Sequence, residues 1–386
     1  MAGRAKAQEF PLVTTSDALA EACAAARASG VAALDTEFVW NRTLVPRLGI
    51  VQLGDAGGAT WIVDAIALRL SPGENPLAEL LADEGTVKIL HDPHQDLCLL
   101  HTYCGCFPRN VFDTRESAGF AGYDASWSLQ KAILMTLGID LPKSETLTDW
   151  CKRPLTPDQV DYARDDVRYL SAVRDKLLAG ARERGMEDAL LEEMRKYDDP
   201  EFYAERPPEK AWLHVSGVGR LHGGGRARAM LRALATLREN EAVRRNLPRN
   251  WILNDERLID LAERPPRDIA ALRTRGFLSR PQTASLVEQI LRCVRTVEAM
   301  DPADYPEDPA AHSRLDAEEK ECVADVLAFL KATAERLRVD PKILGSRAVA
   351  TDFIVNPGNA SNPLASGWRH RMLSPEIERF RPLRLL

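Results

Sequence analysis

The sequence has no apolar run long enough to cross a membrane and no secretory hydrophobic region, so we expect no membrane association. Cysteine is also scarce. The seven cysteines are scattered and odd in number, and Cys104-Gly-Cys106 has no partner pair at zinc-binding spacing. We interpret them as reduced thiols, which predicts a cytoplasmic protein. What remains is an ordinary packed protein, for which a hydrophobic content of 45% is sufficient.

Positive charge is lacking overall, because the net charge is −6, and this argues against a uniformly basic nucleic-acid-binding protein. The charge is uneven, however. Residues 226–280 contain 13 Arg and no Lys, against 7 acidic residues. Two interpretations are open: this segment forms a phosphate-contacting surface, or it forms solvated helical faces in a chain that favours arginine.

The 386 residues exceed one typical domain of about 150 residues. Strand-like and helix-like stretches alternate up to about residue 180, which predicts an α/β domain with a mixed sheet. Proline and glycine then interrupt the pattern, and two helical segments follow. We predict an α/β domain at 1–200, a linker at 201–225, a helical domain at 226–300 and a second one at 310–386.

The most informative residues are Asp35 and Glu37, at the end of the apolar strand predicted over 31–39. Side chains alternate along a strand, so these two carboxylates point the same way. Like charges beside a buried sheet are costly unless something positive neutralises them. A hard divalent cation with oxygen ligands would do so. The pair therefore predicts a carboxylate metal site.

A second candidate lies in His91-Asp92-Pro93-His94-Gln95-Asp96, where a strand passes into a helix. Asp92 precedes proline and fits the role of helix N-cap, which is structural. Asp96 falls in the second turn of that predicted helix and can point toward the strand end. We therefore predict Asp96, and not Asp92, as the ligand.

The third candidate is the helix that Thr156 is predicted to cap, which contains Tyr162, Asp165 and Asp166. At about 100° per residue, its apolar residues form one stripe. Asp165 falls opposite the stripe, toward solvent. Asp166 falls at its edge, next to Tyr162, and can reach a site between helix and sheet. Asp166 and Tyr162 are therefore the predicted functional pair.

Three aspartates and one glutamate from a strand and two helices suit two divalent ions, Mg²⁺ or Mn²⁺. Such ions, about 3.5–4 Å apart, stabilise the attacking and leaving oxygens of an in-line phosphoryl displacement. Tyr162 would orient the attacking water, because an unperturbed pKa near 10 is high for a base.

Several stretches of the chain resemble ribonuclease D. Leu34–Phe38 with Arg47–Leu53 resembles the first exonuclease motif of that family, and Lys88–Asp96 the second. Tyr162–Leu170 resembles the third motif, in its tyrosine-containing form. Residues 226–298 are similar to an HRDC domain, and residues 314–380 resemble a divergent second copy. One departure is Pro93-His94, where the family usually has Gly-Ser.

The resemblance implies a ribonuclease H-like (DnaQ-like) exonuclease domain with a mixed five-stranded sheet, followed by two small all-α HRDC-like domains. It implies that two Mg²⁺-type ions serve stepwise 3′→5′ release of nucleoside 5′-monophosphates from RNA, with precursors of tRNA and other structured small RNAs as substrates. We expect a monomer. The family's catalytic positions match these residues one by one: Asp35, Glu37, Asp96, Tyr162 and Asp166.

Two alternatives to this function stay open. A 3′→5′ DNA exonuclease of the proofreading type is disfavoured by the missing polymerase region and by the HRDC-like segments. A catalytically inactive RNA-binding scaffold is disfavoured by the complete carboxylate set, since a decayed site would be expected to lose at least one ligand.

Overall fold

The computed structural model describes residues 12–40, 42–73, 75–141, 148–275, 284–308 and 315–380. Contacts along the chain divide it into two compact units. Unit 1 comprises Met1–Val39, Arg47–Ala204 and Ala317–Leu386, and unit 2 comprises Trp40–Pro46 and Glu205–Asp316. Among the described residues, none of the helices combines the length and apolar character that a membrane span requires.

A mixed six-stranded sheet forms the centre of unit 1, with strand order β1-β4-β3-β2-β5-β6. Strands β2, β3 and β4 form an antiparallel meander, whereas β5 and β6 are parallel to β2. The strands span Leu12–Val13 (β1), Val31–Val39 (β2), Arg47–Gly54 (β3), Thr60–Asp64 (β4), Val87–Leu90 (β5) and Val111–Asp113 (β6). The predicted α/β class with a mixed sheet is confirmed.

The predicted number of five strands is one too few. The additional strand β1 has two residues and pairs in parallel with β4 at the edge of the sheet. A two-residue strand is too short to produce a visible alternation of apolar and polar residues. The three-residue strand β6 escapes residue-level prediction for the same reason, although its side chains are buried.

Helices cover the sheet and connect its strands. In the exonuclease-like part of unit 1 they span Ser16–Ser29 (α1), Ala65–Leu68 (α2), Pro76–Ala82 (α3), His94–Cys104 (α4), Thr114–Phe120 (α5), Leu129–Leu137 (α6), Pro157–Arg168 (α7), Leu170–Glu183 (α8) and Glu187–Met194 (α9). The capping box predicted at Thr156 is present. The Thr156 hydroxyl accepts from the Gln159 backbone N–H, and the Gln159 side chain accepts from the Thr156 backbone N–H.

The predicted capping role of Asp92 is wrong. Helix α4 begins at His94, its N-cap is Pro93, and no side chain caps it. Asp92 has a φ of 58°, in the left-handed region, and its carboxylate turns outward to pair with Arg115. Its backbone N–H donates instead to Asp113 Oδ1 at 3.0 Å. The chain therefore turns sharply before α4, which the sequence pattern did not indicate.

The C-terminal segment of unit 1 contains four helices among the residues that the structure describes. Its helices span Ala317–Leu337 (α15), Pro341–Leu344 (α16), Arg347–Val355 (α17) and Gly367–Leu373 (α18). It packs on the exonuclease-like part through polar contacts. Asp340 Oδ2 accepts from the Ala125 backbone N–H at 2.7 Å, and Glu193 Oε2 accepts from Trp368 Nε1 at 2.8 Å and from Arg369 at 2.6 Å.

Unit 2 is all-α, with a core of buried aliphatic residues. Its helices span Gly224–Arg245 (α10), Arg249–Ile252 (α11), Asp255–Glu263 (α12), Ile269–Thr274 (α13) and Ala284–Glu298 (α14). Trp212 and Val215, from the segment predicted as a linker, are buried in this core. The loop Trp40–Pro46 also belongs to it, since the backbone N–H groups of Leu44 and Val45 donate to Asn246 Oδ1.

Candidate active site

Asp35 and Glu37 project from β2 toward helix α7. In the antiparallel pairing of β2 with β3, Asp35 lies opposite Gln52 and Glu37 opposite Ile50, so all four side chains share one face of the sheet. Ile50 belongs to an apolar cluster that includes Ala163 of α7, with Tyr162 packed against it. Helix α7 therefore covers the face of the sheet that carries the two carboxylates.

The segment that leads into α7 is fixed to the sheet by one ion pair. Arg153 binds Asp64 with two hydrogen bonds, of 2.6 and 2.7 Å, and also donates to the Gly49 carbonyl at 3.0 Å. Gly49 must be glycine, because a Cβ atom there would lie 2.5 Å from the Trp150 carbonyl oxygen. These contacts set the position of α7 above β3 and β4.

Helix α7 brings Asp166 to the two carboxylates of β2. One ligand oxygen each from Asp35, Glu37 and Asp166 lies within 4.8 Å of the others. Asp166 is only 5% exposed, and its Oδ2 has no hydrogen-bond partner among the described residues. Three carboxylates thus meet at a protected position, and one buried oxygen is left unsatisfied.

Asp96 of α4 lies beside this cluster but is not one of the three closest groups. The Thr36 hydroxyl, from the residue between Asp35 and Glu37, donates to Asp96 Oδ1. The Asp96 charge raises the pKa values of Asp35 and Glu37. Asp96 is therefore tethered to the strand and within electrostatic range of both carboxylates.

Burial raises the pKa values of all four carboxyl groups, and repulsion within the cluster adds to this at Asp35, Glu37 and Asp166. The pKa of Asp35 is raised well above its usual value, first by burial and then by Asp96, Asp166 and Glu37. Burial is also the first cause at the other three. It raises the pKa of Glu37 to about 8, that of Asp166 to about 7 and that of Asp96 to about 6. Without a cation, the protein resists full ionisation of the cluster.

Tyr162 adds a hydroxyl group to the cluster. It interacts with Asp166 and Glu37 and thereby opposes the rise in their pKa values. Burial and these carboxylates raise the pKa of Tyr162 well above 10. The phenol therefore stays protonated at neutral pH and acts as a hydrogen-bond donor.

The residues fit a hard divalent cation. The donors are carboxylate oxygens, which is the ligand type that Mg²⁺ and Mn²⁺ prefer. The unsatisfied Asp166 Oδ2 and the raised pKa values both report negative charge that a cation would stabilise.

Neighbouring polar residues are engaged elsewhere. Asp113 caps α5 and also accepts from Tyr197, and both nitrogens of His91 have partners, Thr114 and the Trp127 carbonyl. Asp165 is half-buried, not fully in solvent as the helical wheel predicts. The departure Pro93-His94 places the His94 ring edge-on against Phe202, with 5.0 Å between centroids.

Comparisons with known proteins match both parts of this architecture. Residues 10–180 match the 3′-5′ exonuclease family, and residues 227–294 match the HRDC domain. Ribonuclease D of Desulfotalea psychrophila is 34% identical over 346 residues, covering 88% of this chain and 90% of the relative. Ribonuclease D of Escherichia coli K12 is 30% identical, covering 95% and 97%.

A solved structure is similar over almost the whole chain. The crystal structure of E. coli RNase D, described as an exoribonuclease involved in structured RNA processing, has a TM-score of 0.84 at 28% identity. The match covers 97% of this chain and 98% of that one. The fold of this chain is therefore similar to that of E. coli RNase D over nearly its whole length.

Fold and site together define a 3′–5′ exonuclease of the ribonuclease H-like fold that carries an HRDC domain. This exonuclease family depends on divalent metal ions, and the chain has the acidic cluster that such ions require. The chain belongs to the ribonuclease D family. The predicted enzyme class, a ribonuclease D-type 3′–5′ exoribonuclease, is confirmed. The roles of individual site residues and the domain boundaries stay predictions.

Proposed function

We propose that Asp35, Glu37, Asp96 and Asp166 hold two divalent cations, Mg²⁺ or Mn²⁺, at the 3′ end of an RNA strand. The observation that supports this most directly is the convergence of three carboxylates within 4.8 Å. Asp96 would complete the set, because the Thr36 hydroxyl tethers it to the strand between Asp35 and Glu37. When bound, such cations supply the positive charge that stabilises the attacking and leaving oxygens of an in-line displacement.

Tyr162 would orient the attacking water. Its phenol stays protonated, so it can donate a hydrogen bond but is a poor base. The hydroxyl interacts with Asp166 and Glu37, two of the carboxylates that would bind the ions. Attack on the terminal phosphodiester then releases one nucleoside 5′-monophosphate and leaves a new 3′ hydroxyl for the next cycle.

The substrates we propose are precursors of tRNA and other structured small RNAs. E. coli RNase D, which is similar in fold and length, is described as acting in structured RNA processing. The arginine-rich segment of unit 2 would contact phosphate groups. Part of its positive charge is used internally, because Arg238 pairs with Asp255, and Arg244 and Arg245 pair with Glu241. We further propose a cytoplasmic monomer, in line with its seven free cysteines.

One assay tests this function against both alternatives. Purified full-length protein is incubated with a 5′-labelled tRNA precursor or a matched DNA oligonucleotide, with Mg²⁺ or with EDTA. Stepwise shortening of RNA in Mg²⁺ alone is the expected result. Preference for DNA would favour a DNA exonuclease, and RNA binding without cleavage would favour an inactive scaffold. Asp35→Asn is the matched variant, in which shortening should stop.

A further inference from the structure

Gln52 is buried beside the carboxylate cluster, opposite Asp35 in the sheet. It is 0% exposed, and both its Oε1 and its Nε2 lack a partner among the described residues. Burying an amide in this way is costly, and native proteins rarely retain such a group unless a ligand, a water or a function accounts for it. Gln52 is therefore a buried polar group whose hydrogen-bonding capacity is unused among the described residues.

The position of Gln52 in the sheet indicates which groups lie within its reach. Gln52 is directly opposite Asp35 in the pairing of β3 with β2, so the two Cβ atoms are neighbours on one face. Helix α7 crosses that same face. Val167 of α7 approaches Gly54, where an added Cβ would lie 3.3 Å from its carbonyl oxygen, and Ala163 packs with Ile50. Gln52 lies between these two contacts, under the turn of α7 that carries Asp166.

The cluster contains one buried acceptor that matches the Gln52 amide donor. Asp166 Oδ2 is also buried, and no described residue bonds to it. An amide Nε2–H can donate to a carboxylate oxygen, and such a bond is stronger than one between neutral groups. The two unsatisfied groups are thus complementary, one a donor and the other an acceptor, and both adjoin Asp35.

We propose that Gln52 is a positioning residue for the metal-binding carboxylates, and that its Nε2 donates to Asp166 Oδ2 when a cation engages the other Asp166 oxygen. The inference rests on the metal site of the proposed function. Outer hydrogen bonds of this kind fix the orientation of a ligand carboxylate, and their removal commonly weakens metal binding. The proposal also explains why a strand buried in the sheet keeps a glutamine there.

The test uses Gln52→Met in the full-length protein, since methionine preserves the shape of the side chain but removes the amide. Mn²⁺ affinity is measured by isothermal titration calorimetry, and melting temperature is measured in EDTA. We expect the Mn²⁺ dissociation constant to rise about tenfold. The melting temperature of the metal-free protein should equal or exceed that of the wild type, because the variant no longer buries an unsatisfied amide.

Two controls separate positioning from packing and from the proposed function. Leu53→Met changes the next residue of β3, on the opposite face, and should leave Mn²⁺ affinity unchanged. Asp35→Asn should abolish binding; if it does not, the metal site itself is misassigned. If Asp35→Asn abolishes binding while Gln52→Met binds like the wild type, only the role of Gln52 is overturned.

Two further results would also overturn the role of Gln52. A lower melting temperature of metal-free Gln52→Met would mean that the amide already has a partner in the resting fold. Equal weakening by Leu53→Met would attribute the loss to repacking of β3. Gln52→Leu provides a second apolar replacement should the methionine variant fail to fold.

Discussion

Replacing Asp166 by asparagine should stabilise the metal-free protein at alkaline pH, although it should disable the enzyme. Burial raises the pKa of Asp166 from its ordinary value of 3.8 to about 7. A carboxyl group whose pKa is raised by folding favours the folded state only at low pH. That stability is fully present below the unfolded pKa and is lost as pH rises through the folded value. The loss should therefore extend from about pH 4 to about pH 7.

The size of the effect follows from the pKa values. One pKa unit corresponds to about 1.4 kcal/mol, so ionised Asp166 costs the metal-free fold on the order of 4 kcal/mol at pH 8. This is a large part of the usual total stability of about 5–15 kcal/mol. Asparagine carries no charge at any of these pH values. The substitution also removes one charge that repels Glu37, whose pKa is raised to about 8, so Glu37 should ionise more easily.

The assay is thermal unfolding in EDTA between about pH 5 and pH 8.5. The wild-type melting temperature should fall with rising pH more steeply than that of Asp166→Asn, with the two curves furthest apart near pH 8. Added Mg²⁺ should stabilise the wild type more at pH 8 than at pH 5.5. Asp161→Asn, an exposed change on the same helix, should behave like the wild type. Parallel curves for wild type and Asp166→Asn would refute this reasoning.

Three other changes test the site and the fold. Asp35→Asn should reduce nucleotide release to background while circular dichroism stays unchanged, because a ligand is lost at a partly buried position. Tyr162→Phe should slow hydrolysis about a hundredfold but keep Mn²⁺ affinity, because only an orienting hydrogen bond is removed. Glu193→Ala should destabilise the protein by about 3–5 kcal/mol, measured by urea unfolding, because it removes the carboxylate that pairs with Arg369, whose side chain is only 14% exposed. Wild-type turnover in either site variant, or wild-type stability in the third, would contradict the corresponding role.

The sequence predicted the strand carrying Asp35 and Glu37 with its correct bounds, because an apolar run leads directly into the two carboxylates. The helical wheel correctly separated Asp166, which is buried in the cluster, from Asp165, which is not part of it. The reason for choosing Asp96 over Asp92 was wrong, since Asp92 caps nothing and pairs with Arg115. The left-handed backbone of Asp92 is accompanied by a contact with Asp113. Because Asp113 is distant in sequence, no local pattern indicates this turn.

What the sequence could not provide are the contacts that only tertiary packing creates. Gln52 looks like an ordinary polar residue of a strand, and only the pairing of β3 with β2 places it opposite Asp35. Likewise, the edge strand β1 is defined by its partner β4 and not by its own two residues. Both features depend on how two separate segments pair, which the periodicity within one segment does not fix.

The C-terminal helices belong energetically to the exonuclease core, although the sequence presents them as a second copy of the helical module. Glu193 of α9 is largely buried and binds both Trp368 and Arg369, and Asp340 supports the turn after α5. Helix α5 follows β6, the neighbour of the strand that leads into α4 and Asp96. Ending the chain after Ala204 would therefore remove two parts at once: the C-terminal helices that support the catalytic sheet, and the HRDC unit. Loss of the C-terminal helices would weaken the core, whereas loss of unit 2 would weaken RNA capture. Only a variant that lacks unit 2 but keeps residues 317–386 can therefore assign an effect on RNA capture to unit 2.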